Sequence, residues 1–270
     1  MKKLITAVLL LVYTGTNAQK IPAYSGEISI GAQMGKTDSG TVEKNLNFKA
    51  EGVYGWFFYQ LKRFQPFKKT AHPGLEKMTM ISLGYGKNVS ILNDDANLAW
   101  GFGPNMTMIP DTGFGKKVLV LWGGTIYGNA VSEEYGFDAE ISITYNFLPK
   151  NTENDWNQSL FLPEVKLRKF FGSKKIKPGV GAEYRLVMFN ASEPQIQGTA
   201  YKGTTFSDSR SEVSAFLCAN IKGFGVEFGP VLTRTKNKMT DRTGLNTFDA
   251  KSWPTRWQLR FTYSFLNKGE

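Results

Sequence analysis

The residues Arg256-Trp257-Gln258-Leu259-Arg260-Phe261-Thr262-Tyr263-Ser264-Phe265 alternate without a break between large apolar and polar side chains. Successive side chains of a strand point to opposite faces. Trp257, Leu259, Phe261, Tyr263 and Phe265 therefore make one greasy wall, and Gln258, Arg260, Thr262 and Ser264 a wet one. Such a wall must lie against either a packed core or hydrocarbon. Two aromatics stand at its end, where a membrane-crossing strand meets lipid headgroups.

At the other end, Met1-Lys2-Lys3 precedes an apolar run over residues 4–13. Thr14-Gly15-Thr16-Asn17-Ala18 then leads into Gln19. This pattern predicts a signal peptide over 1–18 and a single mature domain over 19–270. About ten apolar residues are too few to span a bilayer, and no later run approaches the roughly 20 a membrane helix needs. Cys218 is the only cysteine, so a disulfide, a cysteine metal cluster and a lipid-bearing cysteine after the cut are not expected. The formal charge of +10 becomes +8 once Lys2 and Lys3 are lost with the leader. Beyond the inner membrane, that charge suits phosphorylated lipid headgroups or acidic partners rather than nucleic acid.

Strand-like runs recur at residues 27–35, 47–59, 78–87, 97–109, 117–128, 135–147, 159–171, 179–189, 211–221, 224–234 and 256–265. Turn signals such as Asn93-Asp94-Asp95 and Pro110-Asp111-Thr112-Gly113 separate them, the basic segment 61–77 reads as a loop, and no helical periodicity competes. Lys222-Gly223 predicts a two-residue turn with Ile221 opposite Phe224. Both then share a face, continuing Val213, Ala215, Leu217 and Ala219 on one side and Val226 and Phe228 on the other. The runs number eleven, whereas single-chain barrels carry even numbers. Twelve strands are therefore expected, with ten as the alternative and the miscount placed between residues 130 and 157 or before residue 48. Short turns at 172–177 and 222–223 would face the periplasm and longer segments at 190–210 and 235–255 the exterior. Counting forward from the N-terminus instead puts 110–116 on the periplasmic side. A secreted sandwich would alternate too. Yet runs of about 10 to 13 residues exceed the usual 5 or 6 of soluble sheets and suit spanning strands of roughly 9 to 11. The predicted fold is all-β: an antiparallel up-and-down transmembrane β-barrel in the outer membrane of a Gram-negative cell, reached by Sec-type export.

If the greasy face meets lipid, the wet face lines a lumen. It carries Lys49, Glu51, Asp138, Glu140, Glu164, Lys166, Arg168, Glu183, Arg185, Glu212, Glu227 and Arg260, seven acids against five bases. One reading is a salt-bridged filling, since buried charges must be paired. The other is a narrow water-filled pathway whose opposed charges orient a solute, because twelve strands can leave a small pore where eight are just filled. Cys218 should face this lumen between Phe216 and Asn220.

Catalytic and metal chemistry finds little footing. His72 is the only histidine and sits in the turn Ala71-His72-Pro73-Gly74 with no serine beside it. It is the residue on which a lipid-modifying activity would depend. One His and one Cys do not make a zinc site. Asp94-Asp95 and Glu133-Glu134 read as turn chemistry, and neither Gly101-Phe102-Gly103 nor Gly223-Phe224-Gly225 precedes a helix that could hold a phosphate. No cofactor and no enzymatic activity are expected. Lys62-Arg63-Phe64-Gln65-Pro66-Phe67-Lys68-Lys69 interleaves bases with rings, as an interfacial segment gripping lipid phosphates or an acidic partner would. Ser173-Lys174-Lys175-Ile176-Lys177 is a second basic turn of that kind.

The Lys-Lys leader, Gln19 after the cut, the run Trp100-Gly101-Phe102-Gly103-Pro104 and the aromatic closing strand together resemble outer-membrane barrels of the Bacteroidota. The resemblance implies surroundings of outer-membrane lipid and lipopolysaccharide, and insertion by the barrel-assembly machinery. The polar tail 266–270 departs from the pattern, in which the last ring ends the chain. Three roles follow as expectations: a scaffold or accessory subunit of a secretion, conjugation or uptake complex with other envelope proteins, a porin-like narrow channel, or a lipid-modifying enzyme.

Overall fold

The computed structural model describes residues 23–36, 42–66, 77–91, 96–110, 118–148, 157–172, 175–192, 205–240, 246–252 and 255–267. Their strands are β1 (Tyr24–Lys36), β2 (Val42–Tyr54), β3 (Phe57–Pro66), β4 (Met78–Ile91), β5 (Ala96–Pro110), β6 (Val118–Ser132), β7 (Phe137–Phe147), β8 (Asn157–Phe170), β9 (Ile176–Ser192), β10 (Thr205–Ile221), β11 (Phe224–Thr240), β12 (Asn246–Ser252) and β13 (Thr255–Asn267). From β1 to β12 each pairs antiparallel with the next, and β13 pairs with β11 and returns to pair with β1 from Tyr24↔Asn267 to Gly35↔Arg256. The lower part of β11 pairs with β13 and its upper part with β12. β12 and β13 thus form one stave. The result is a closed barrel of twelve staves.

Following partners around the sheet returns to β1 about 14 residues further along. At ~3.3 Å per residue and ~4.8 Å between strands, this tilts the staves by about 40°. Both Tyr24 and Asn267 lie at the end closed by the tight turns at Gly55-Trp56, residues 133–136 and Lys222-Gly223. Positive φ at Gly55 (61°), Gly136 (56°), Lys222 (50°) and Gly223 (89°) gives those turns the twist that hairpins demand. The opposite end carries the longer connections, including those after β5 and β9.

The miscount has a local cause. The run at 47–59 is two strands, because Gly55-Trp56 turns inside an unbroken string of aromatic residues. A turn flanked by Tyr54 and Phe57-Phe58-Tyr59 keeps the apolar signal high on both sides, so it reads as continued strand. The hairpin brings Phe58 into the interior, fully buried, and extends β3 across part of the supposed loop at 61–77. Missing it also inverted the forward count: the β5–β6 connection lies at the end away from the termini, not beside them. Of the segments expected as long exterior loops, residues 190–192, 205–210, 235–240 and 246–252 are strand.

Side chains sort as the tilt and pleat require. Ile126, Leu217, Phe224, Trp257, Leu259, Phe261 and Tyr263 face out and are 41–68% exposed. Left in water, each would forgo about 1.5–3 kcal/mol of burial, and a girdle this continuous exceeds what soluble monomers expose. Hydrocarbon is the medium that satisfies it. Inward-facing Glu51, Lys62, Glu227 and Lys166 are meanwhile 0–3% exposed. The chain is therefore a β-barrel of the outer-membrane type, greasy outside and ionised within. The signal-peptide region lies outside the described residues.

Candidate functional site

The twelve charged residues named from the sequence are buried or half-buried, and each takes part in an ion pair. Several of these ties cross the barrel, joining staves that are not neighbours in the sheet. Lys166 on β8 reaches Glu27 on β1 (3.1 Å) and Glu227 on β11 (2.7 Å). Arg168, one pleat further, binds the same two carboxylates at 2.5 and 3.1 Å and also pairs with Asp138. Lys49 on β2 joins Glu140 on β7 as well as Glu51, and Lys62 on β3 joins Glu164 on β8. Arg260 lies between Glu183 (2.6 Å) and Glu227 (3.0 Å), and Arg185 pairs with Glu212.

Sequence reasoning missed four members. Glu27 takes two bases, Lys62 lies 3.6 Å from Glu51 besides its bond to Glu164, and Arg210 and Arg256 approach Glu212 at 2.6 and 3.9 Å. With them these ion pairs join eight acids to eight bases. Charge balance of this kind is what a partly dehydrated interior requires, because an unpaired ion there costs several kcal/mol. Lys62 corrects an earlier expectation: it is an interior residue, not part of a lipid-gripping surface, although its neighbour Arg63 is exposed. Residues 67–69, His72, Asp94-Asp95 and residues 173–174 lie outside the described residues. Glu133 and Glu134 are exposed in the β6–β7 turn, and Cys218 faces inward and is buried.

Neutral polar groups fill the lumen beside the ions. Gln60 donates to Glu51 (3.0 Å) and to Ser142 (3.1 Å), and Lys62 also donates to Ser142 (3.0 Å). Asn146 donates to Asn105 (2.6 Å), which donates to Ser82 (2.6 Å), which in turn shares a hydrogen bond with Thr125 (2.9 Å).

Two apolar clusters lie inside the barrel beside the ions, an arrangement that strict greasy-out alternation does not foresee. Toward the long-connection end, Met78, Met80, Ile109, Leu119, Leu121, Leu160, Leu162, Val187 and Phe189 pack together from β4, β5, β6, β8 and β9. Toward the tight-turn end, Val53, Phe58, Ala99 and Tyr127 form a second cluster, with the Phe58 and Tyr127 rings stacked at 5.6 Å. The sequence signal was present in strands apolar on both faces, such as Met78-Thr79-Met80-Ile81 and Leu160-Phe161-Leu162. Two cavities among the described residues are of water size, about 20 Å3 and about 10 Å3. No group of residues suited to a metal ion occurs among the described residues.

No family model and no curated protein matches the chain. Among solved structures it is similar to the ferric citrate transporter FecA in its unliganded form, at 10% identity and a TM-score of 0.38, over 91% of this chain and 43% of that one. The chain thus spans less than half the length of FecA. It is also similar to the outer membrane protease OmpT from Escherichia coli (8%, 0.26, 93% and 99%) and to OpdK from Pseudomonas aeruginosa with vanillate (7%, 0.24, 90% and 99%). Likeness at this distance transfers no activity. It does correct the expectation that the chain is not an enzyme, since one of the matched barrels is a protease. The Bacteroidota likeness has no counterpart among these matches.

Proposed function

We propose that the protein is a sealed outer-membrane barrel acting as a scaffold or accessory subunit of an envelope assembly for secretion, conjugation or uptake. One observation carries the reading: ion pairs cross the lumen between non-neighbouring staves, and apolar clusters fill the space beside them. A wall so filled offers a solute no route, so its work falls to the rims and the outer surface. Export by the Sec route, removal of residues 1–18, insertion by the barrel-assembly machinery and a Bacteroidota origin belong to the same proposal, supported by the leader and the closing strand. Lipopolysaccharide and outer-membrane phospholipid are its proposed surroundings.

The test extracts the native protein in mild detergent and records both its mass and its conductance in planar bilayers. A complex larger than the monomer with no current in several salts supports the scaffold. Migration as a lone monomer with stepwise conductance overturns it in favour of a narrow channel.

A further inference from the structure

The larger of the two cavities lies across the long-connection half of the lumen, and its lining is one-sided in chemistry. Arg185 and Arg210 supply two guanidinium groups, and Gln33, Asn45 and Asn47 supply amides. Phe64, Met78 and Val187 close the other side, and no carboxylate lines the space. Glu212 sits behind the two arginines, paired with Arg185 and 2.6 Å from Arg210, and so fixes where both guanidiniums point. The Arg185 guanidinium also lies over the Phe64 ring, 4.5 Å from its centre.

A second observation points to an occupant. Arg185 is buried, yet its Nε–H has no acceptor, and the amide oxygen of buried Gln33 has no donor. Turned about its terminal torsion, the Gln33 amide offers N–H to the same space. Arginine forks and amide N–H groups in a low-dielectric site with no competing carboxylate recognise a small anion. A volume of about 20 Å3 holds one monatomic ion or one carboxylate end, not a larger oxyanion.

We propose that this cavity is a binding seat for a small monovalent anion, held by Arg185 and Arg210 with the amides of Gln33, Asn45 and Asn47. The shared chemistry is one compact negative group, either a halide or the carboxylate of a small organic acid.

The experiment uses the folded full-length protein in detergent and follows the midpoint of its heat-induced gel-mobility shift. Sodium bromide replaces sodium methanesulfonate at constant ionic strength, and a parallel series uses sodium acetate. The wild type should gain about 5 °C, saturably, at a hundredfold excess over the half-saturating concentration. Arg185→Gln should abolish the gain. Because that change also removes a partner of Glu212, Asn45→Asp serves as a second variant: it keeps every ion pair and places a carboxylate in the lining, and should abolish the gain as well. A steeper response to bromide assigns a halide and a steeper response to acetate a carboxylate; either supports the seat. Equal midpoints in bromide, acetate and methanesulfonate, or a full response in Asn45→Asp, would mean that the cavity holds only water and overturn the proposal.

Discussion

Arg168 serves three carboxylates at once, those of Glu27, Asp138 and Glu227, from a position only 4% exposed. Losing one member of a buried ion cluster strands the others, which costs more than the cluster contributes when whole. Arg168→Met should therefore destabilise the folded barrel by about 3–5 kcal/mol, measured as the shift in a urea unfolding curve in detergent. Arg168→Lys should fall between the two, since it keeps the charge but not the two-pronged reach. A steric counterpart lies at Gly101, where an added Cβ would stand 2.6 Å from Phe58 Cγ. Gly101→Val should cost about 1–3 kcal/mol by overpacking that cluster, again read from the unfolding curve. Side-chain parity alone made twelve of the interior ions legible. Glu27, Arg210 and Arg256 obey the same parity but sit at or beyond the ends of the runs, and Lys62 was hidden by the unseen turn.

Strands of this barrel are legible where one face is purely apolar and the flanking turn is polar. β13 meets both conditions, and so do β10 and β11 around Lys222-Gly223, where Ile221 stands opposite Phe224. The β2–β3 hairpin fails the second condition. β4, β5, β6, β8 and β9 fail the first near the long-connection end, because the lumen there needs a core as well as a coat. On β13 the asymmetry gives a sharp expectation. Leu259 faces out near mid-stave, 41% exposed, while Gln258 beside it is buried. Leu259→Arg should lower folding stability in lipid bilayers by about 2–4 kcal/mol, the cost of a cation near the midplane. The same variant should lose much less in detergent micelles, whose surface lets the guanidinium escape to water. An equal loss in both media would indicate that Leu259 packs against protein and not lipid.

For the molecule as a whole, sealing follows from what shares the lumen: paired ions with apolar clusters packed beside them toward each end. A charged lumen by itself would hydrate and conduct. Apolar side chains packed among the ions withhold water, and the ions are then satisfied by one another and by the neutral polar groups beside them. That coupling makes interior accessibility a direct readout of the fold, and the chain supplies its own probe. Cys218 is the single cysteine, faces the lumen on β10 and is 7% exposed, with the Gly179 backbone close by. In a barrel with an aqueous pore, a small charged maleimide would reach an inward thiol within minutes. In the sealed barrel the reaction must wait for local opening, so labelling of the folded protein should run at least about a hundredfold slower than labelling of the urea-unfolded chain. Arg168→Met should shorten the wait, because loosening the ion layer lowers the free energy of opening. If folded wild type labels as fast as the unfolded chain, water already enters the lumen, and the scaffold reading yields to the channel.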